Sequence, residues 1–330
     1  MPTRLLIIGG VAGGATAAAR ARRIDEHAEI ILFERGEYIS FANCGLPYYI
    51  GEVIKERDEL LLTTPRDFKD LYNIDVRVQS EVVAIDRQNQ ILRVKDIRNG
   101  NICTEVYDKL ILSPGAEPFI PPVEGIGSER FFYLRNVPDS DRIKSYVDTH
   151  KPNAAVIVGG GFIGLEMAEN LVERGVKTTV IEMLDQVMPP LDYEMAAIIH
   201  THLEGKGVIC DLGNKVQSFS RQDGRITVVT SKGNTIPCDM VIISAGIRPE
   251  SKLAKDAGLA IGDRGGIRVD ATMRTDDPHI YAVGDAAEVR DFVTGLPTMT
   301  PLAGPANKQG RIAADNALGR KSVFRGTLGT

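Results

Sequence analysis

Two apolar runs end in the same kind of glycine turn, and a chain that carries this pattern twice has few folds open to it. The first reads Ile7-Ile8-Gly9-Gly10-Val11-Ala12-Gly13-Gly14, and the second reads Val156-Ile157-Val158-Gly159-Gly160-Gly161-Phe162-Ile163-Gly164. Each run predicts a buried strand, and each turn opens a predicted helix. In that setting backbone N–H groups and the helix N-terminus face a pyrophosphate, and glycine lets the chain approach it. Gly10 and Gly160 are extra to the motif and read as tight-turn residues.

Each unit also carries an acid at the end of its second predicted strand. Glu34 follows Gly14 by 20 residues, and Glu182 follows Gly164 by 18. A carboxylate about 20 residues past the glycines is placed to hold a ribose hydroxyl. Each unit then closes on a matched strand. Asp108–Pro118 ends in Ser113-Pro114-Gly115, and Asp239–Pro249 ends in Ser244-Ala245-Gly246. Together these predict an α/β chain with two nested Rossmann-like dinucleotide-binding domains, and hence two dinucleotides. The second motif has all three glycines, whereas the first has Val11 at the middle position. Glu182 repels a 2′-phosphate, and Met183 and Leu184 after it offer no arginine to receive one. NADH is therefore favoured, and an arginine elsewhere in the fold would allow NADPH.

Composition removes other function classes. Net charge is −5, with acids and bases interspersed, so there is no basic stripe for nucleic acid. No apolar run approaches the ~20 residues that span a bilayer. Residues 1–4 lead directly into the first strand without a signal peptide, and a cytoplasmic setting is expected. Cys44, Cys103, Cys210 and Cys238 show no CxxC spacing, which argues against a disulfide framework or a zinc site. His200 and His202 point in different directions on a predicted helix and are not expected to hold metal.

Cys44 is the candidate redox residue. It lies in Ser40-Phe41-Ala42-Asn43-Cys44-Gly45-Leu46-Pro47-Tyr48-Tyr49, and the next cysteine, Cys103, is 59 residues further on. A resolving partner must then come from outside the protein, as a substrate thiol, a persulfide sulfur or oxygen. The plain alternative is a small buried hydrophobe. Pro47 suits the first turn of a helix, which would set the thiol at a helix N-terminus, where N–H groups favour thiolate. A more acidic thiol is also a less intrinsic nucleophile, so thiolate character matters more for release than for attack.

This segment resembles that of the coenzyme A-disulfide reductase family, including its NADH-dependent persulfide reductases. The likeness runs through Glu166, Gln186-Val187-Met188-Pro189 and Thr300–Asn307. The strand Ile280–Val283, ending in Gly284-Asp285, resembles the second flavin signature of flavoprotein disulfide reductases. By that resemblance Asp285 bonds the FAD ribityl chain; from the residues alone it reads as a helix N-cap before Ala286-Ala287-Glu288.

The resemblance implies an FAD domain over residues 1–118 and 248–330, with an NAD(P)H domain over 119–247. For FAD it implies Gly9, Ala12, Gly13, Gly14, Glu34, Arg35, Asn43, Val82, Ser113, Pro114, Gly115, Gly284, Asp285, Pro301, Leu302 and Ala303. For NAD(P)H it implies Gly159, Gly160, Gly161, Phe162, Ile163, Gly164, Glu182, Ala245, Gly246 and Ile247. CoA would be carried as a mixed disulfide on Cys44, beside Ser40 and Asn43, with contacts from Thr16, Arg20, Arg23, Tyr72 and Asn307. Arg20, Arg22 and Arg23 read equally as cations at a helix C-terminus. Related NADH oxidases and peroxidases carry a histidine where Ala12 stands, which counts against oxygen or peroxide as acceptor. The family also has a C-terminal dimerisation domain, sometimes followed by a rhodanese domain, and this chain stops where that domain would begin. CoA disulfide, CoA persulfide, glutathione persulfide and polysulfide remain open as substrates. An NADH oxidase and a flavin- and NADH-binding redox sensor are the alternatives.

Overall fold

The computed structural model describes residues 2–127, 129–222 and 224–328. The chain divides into two compact units, one of Met1–Phe41, Leu61–Glu117 and Arg248–Thr330, the other of Ala42–Leu60 and Pro118–Ile247. Residues 42–60, grouped with the first domain by sequence, therefore cluster with the second unit.

A five-stranded parallel sheet forms the centre of each unit. In the first, the order is Ile280–Ala282, Lys109–Leu112, Arg4–Ile8, Glu29–Phe33 and Asp75–Arg77. Leu5, Leu6, Ile7, Ile31 and Leu32 are essentially inaccessible, as expected of parallel strands covered on both faces. In the second unit the order is Ile209–Asp211, Lys177–Ile181, Ala154–Val158, Met240–Ile243 and Phe131–Phe132. The duplication reaches further than the glycine motifs. A three-stranded antiparallel sheet, Ser80–Asp86, Ile91–Asp96 and Ile102–Val106, precedes the closing strand of the first unit. Val216–Gln222, Arg225–Thr230 and Thr235–Cys238 do the same in the second.

In each sheet the strand order reverses beside the strand that carries the glycine turn. The crevice beyond the carboxyl end of such a strand is where open α/β sheets take ligands. The helices leaving those turns, Ala12–Ile24 and Phe162–Glu173, have no side-chain cap at their N-termini. Helices Pro65–Tyr72 and Val137–His150, by contrast, carry complete capping boxes from Thr64 with Asp67 and Asn136 with Asp139. The two turn helices thus keep orphan N–H groups available to an anion.

Helix Ala303–Ala317 packs on helix Ala12–Ile24 so closely that a Cβ at Gly310 would stand 2.4 Å from the Gly13 carbonyl oxygen. Among the described residues, no helix is long and apolar enough to cross a membrane. Gly310→Ala is expected to destabilise the chain by about 1–3 kcal/mol through forced separation of the two helices. Gly205→Ala, at a helical position whose Cβ meets nothing within 4 Å, is expected to be neutral or slightly stabilising. Thermal melts of the two variants check the contrast.

Candidate active site

The two glycine turns are built alike. Gly9 has φ +95° and Gly159 φ +111°, a left-handed region open to glycine. A Cβ there would lie 2.0 Å from the Ser113 carbonyl oxygen and 2.3 Å from that of Ser244, respectively. At Gly14 and Gly164 it would meet the Gly9 and Gly159 carbonyl oxygens at 1.8 and 2.1 Å, whereas Gly161 faces open space. The middle position of the second turn is thus bare backbone with room in front of it, which fits a pyrophosphate. Val11 at the matching place is the residue that caps the first helix, with ψ −139°.

The acids grip the turns. Gly10 N–H donates to Glu34 Oε2 at 2.8 Å, and Gly160 N–H donates to Glu182 Oε2 at 2.7 Å. The other carboxylate oxygen accepts from Gly36 N–H at 2.7 Å in the first unit and from Leu184 N–H at 2.9 Å in the second. A carboxylate offers about four lone-pair sites, so each acid keeps capacity for ribose hydroxyls.

A further repeat lies outside the sequence motifs. Six residues after each acid the chain returns to the turn: Ser40 N–H donates to the Gly10 carbonyl at 2.8 Å, and Met188 N–H donates to the Gly160 carbonyl at 2.8 Å. Both residues are left-handed, with φ +47° at Ser40 and +50° at Met188, a strained state for a side chain. The residues before them, Ile39 and Val187, press on the same glycines, leaving a Cβ at Gly10 or Gly160 only 2.5 or 3.0 Å from their methyls. Gly10 and Gly160 are therefore packing residues rather than spare turn glycines. Their signal is the equal offset of Ile39-Ser40 and Val187-Met188 from the two acids.

Other residues expected for flavin belong to the same unit. Val82 is buried at an irregularity in the strand Ser80–Asp86. Gly284 has φ +76°, and its N–H donates to the buried Gln309 Oε1 at 2.7 Å. Asp285 lies in the 3-10 turn Gly284–Ala286, and the strand Ala287–Arg290 comes next. The N-cap alternative for Asp285 is thus corrected, because the chain continues as strand and not as helix. Pro301 and Leu302 precede the N-terminus of helix Ala303–Ala317, which has no side-chain cap. Arg35 is bound to both oxygens of Glu250, with Nη2–Oε2 at 2.9 Å, and it also faces Glu117 at 3.5 Å. Its guanidinium is thereby largely committed to a protein carboxylate.

Three of the expected CoA residues, Thr16, Arg20 and Arg23, lie at i, i+4 and i+7 on the helix Ala12–Ile24. Thr16 Oγ1 donates to Asn307 Oδ1 at 2.8 Å, Arg20 pairs with Asp315 at 2.7 Å, and Arg23 lies over the Tyr72 ring at 6.0 Å. Arg22 points elsewhere and donates to the carbonyls of Tyr72, Asp25, Glu26 and Asn73. Arg22 and Arg23 both lie in the last turn of the helix Ala12–Ile24, so the helix-terminus account stays open for both, whereas Arg20 lies ahead of that turn.

All four cysteines are free, and Cys44 is exposed. It occupies the 3-10 turn Asn43–Gly45, which runs on into the helix Leu46–Ile50 with Pro47 in its first turn. Cys44 therefore lies within the opening turn of a helical stretch rather than ahead of it. Tyr48, one turn on, donates its hydroxyl to Glu169 Oε1 at 2.8 Å. That bond, with burial added, pushes the Tyr48 phenol up to about 12. The helical stretch is fastened at its far end. Arg174 donates to the Ile50 carbonyl at 2.8 Å, and a Cβ at Gly51 would collide with Asn170. Burial, reinforced by the Glu169 carboxylate, raises Glu166 above the ordinary carboxylate range. By contrast, burial pushes the Cys238 thiol up to about 12, as expected of an inert core thiol.

A pyridine nucleotide-disulphide oxidoreductase family model matches residues 3–310. The chain is 37% identical to an NADH oxidase of Methanocaldococcus jannaschii over 97% of its length and 71% of the relative's. It is 36% identical to a coenzyme A disulfide reductase of Staphylococcus haemolyticus, over 99% of this chain and 73% of that protein. Among solved structures, reduced Bacillus anthracis CoADR-RHD superposes with a TM-score of 0.97 at 52% identity, over 100% of this chain and 59% of the other. An NAD-dependent persulfide reductase from A. fulgidus gives 0.94 at 40%, over 98% and 60%.

Glu166→Gln is expected to raise the melting temperature at neutral pH. A carboxyl group whose folded-state pKa is raised costs stability once ionised, and that cost disappears as pH falls through the folded and then the unfolded value. The advantage of the variant should therefore shrink towards pH 4, and melts across pH 4–8 test it.

Proposed function

The chain belongs to the pyridine nucleotide-disulphide oxidoreductase family, and from that premise we propose that it uses NADH to reduce a sulfur–sulfur bond carried on Cys44. The preferred acceptor in this reading is a CoA persulfide or CoA disulfide. At the coarser level the chain is a flavoprotein oxidoreductase dependent on NAD(P)H. The observation that carries the proposal is a free, exposed cysteine with no second cysteine in its segment, four residues after the strained Ser40 that is tied to the first glycine turn.

The first turn, with Glu34, suits FAD, and the second, with Glu182, suits NADH. The flavin, when bound, supplies two-electron transfer from reduced nicotinamide to sulfur. The chain's own contribution is alignment. Glu34 and Glu182 hold ribose hydroxyls, the glycine turns and uncapped helices hold pyrophosphates, and Cys44 holds the substrate sulfur. Cleavage of the Cys44–S–S–R bond takes up two electrons and one proton, releases R–SH and returns Cys44 as its anion. Ser40 and Asn43 are proposed to hydrogen-bond the separating sulfurs. The face of Thr16, Arg20, Arg23, Tyr72 and Asn307 is proposed to take the CoA portion. Support for sulfur as acceptor comes from the coenzyme A disulfide reductase and persulfide reductase among the relatives, and from Ala12 in place of the histidine of the peroxide-reducing enzymes.

Cys44→Ser is expected to bind FAD and let NADH bleach its absorbance, while losing turnover of CoA disulfide and CoA persulfide by at least ~100-fold. Stopped-flow absorbance and steady-state assays read the two halves separately. Undiminished sulfur turnover in the variant refutes the role of Cys44. Wild-type NADH consumption that needs only oxygen supports the oxidase reading, which is the name the M. jannaschii relative carries.

A further inference from the structure

Residues 183–192 join the strand Lys177–Ile181 to the helix Tyr193–Gly205 and have no part in the chemistry above, yet they are held at several points. Met188 N–H donates to the Gly160 carbonyl at 2.8 Å, and Gln186 Nε2 donates to the Leu191 carbonyl at 2.7 Å. Val187 N–H donates to His200 Nε2 at 3.0 Å. Val187 is fully buried, and its side chain sets the clearance over Gly160. Met188 is left-handed immediately before Pro189, a state that its neighbours must impose.

These contacts form a chain from His200 through Val187 and Met188 to Gly160. Gly160 is the glycine whose N–H Glu182 holds from the other side. His200 accepts at Nε2, so its lone pair lies there and its ring proton on Nδ1. The Tyr193 ring packs edge-on to the imidazole, with centroids 6.3 Å apart. Without that acceptor the Val187 N–H would be left unpaired, and the loop would lose the tie that sets Val187 and Met188 against the turn.

We propose that His200 is a positioning residue for the pyridine dinucleotide, acting through the Val187 and Met188 backbone to hold the Gly159–Gly161 turn in its binding shape. This rests on the second turn being the NADH site. The test is calorimetric titration of NADH into the FAD-loaded chain, its flavin first reduced with dithionite so that NADH binds without reacting, for wild type, His200→Phe and His200→Gln. Phenylalanine keeps a ring and removes the acceptor, whereas the glutamine oxygen restores one.

His200→Phe is expected to weaken NADH binding about tenfold, and His200→Gln to recover affinity to within about threefold of wild type. FAD content and kcat at saturating NADH should stay level in both, so that the change falls in binding. Equal affinity for wild type and His200→Phe overturns the positioning role, as does His200→Gln binding no better than His200→Phe. A wild-type chain that takes up FAD but does not bind NADH overturns the assignment of the second turn itself, and this proposal with it.

Discussion

One glycine in each unit is held from both sides, and the geometry of the candidate sites depends on that grip. The N–H of Gly10 or Gly160 goes to the acid at the end of the next strand, and its carbonyl takes the N–H of the residue six positions beyond that acid. The turn is thereby locked, with the Gly9 and Gly159 N–H groups also taken, by the Phe33 and Ile181 carbonyls, and the acid is fixed where a dinucleotide ribose would be expected. The returning residue must adopt a left-handed backbone to close the bond, and Ser40 and Met188 both do so. Strain of that kind persists only where surrounding contacts over-determine it.

The two units share this device and diverge beyond the returning residue. After Ser40 the chain proceeds within four residues to Cys44, the cysteine proposed to carry the substrate sulfur. After Met188 comes Pro189 and then the helix that carries His200, and that loop serves the turn alone. In the proposed reading, a duplicated fold carries one chemical segment and one supporting one. The shared scaffold alone would not reveal such a difference.

Much of this is legible from residue order. Gly9 and Gly159, Glu34 and Glu182, and the buried strands lie where spacing and apolar runs place them, because those signals are local in sequence. Gly10 and Gly160 look spare in the sequence because the side chains that crowd them, Ile39 and Val187, arrive from 29 and 27 residues away. Asp285 invites an N-cap assignment because a short Ala-Ala-Glu run suits a helix, yet the chain continues as a strand paired with Ile267–Arg268 and Pro297–Thr298. The three arginines at the end of the first helix are indistinguishable by composition. Only folding gives Arg22 four carbonyls, Arg20 an aspartate and Arg23 an aromatic ring.

The chain by itself determined the paired dinucleotide turns, their acids and the solitary cysteine, since left-handed glycines, strand periodicity and the distance from turn to acid are properties of short stretches. Tertiary structure alone decided that residues 42–60 cluster with the second unit, that Thr16 meets Asn307 and that Val187 leans on His200. Those outcomes depend on which distant surfaces pack together, and hydrophobic burial, the force behind that packing, carries no direction that one segment can announce in advance.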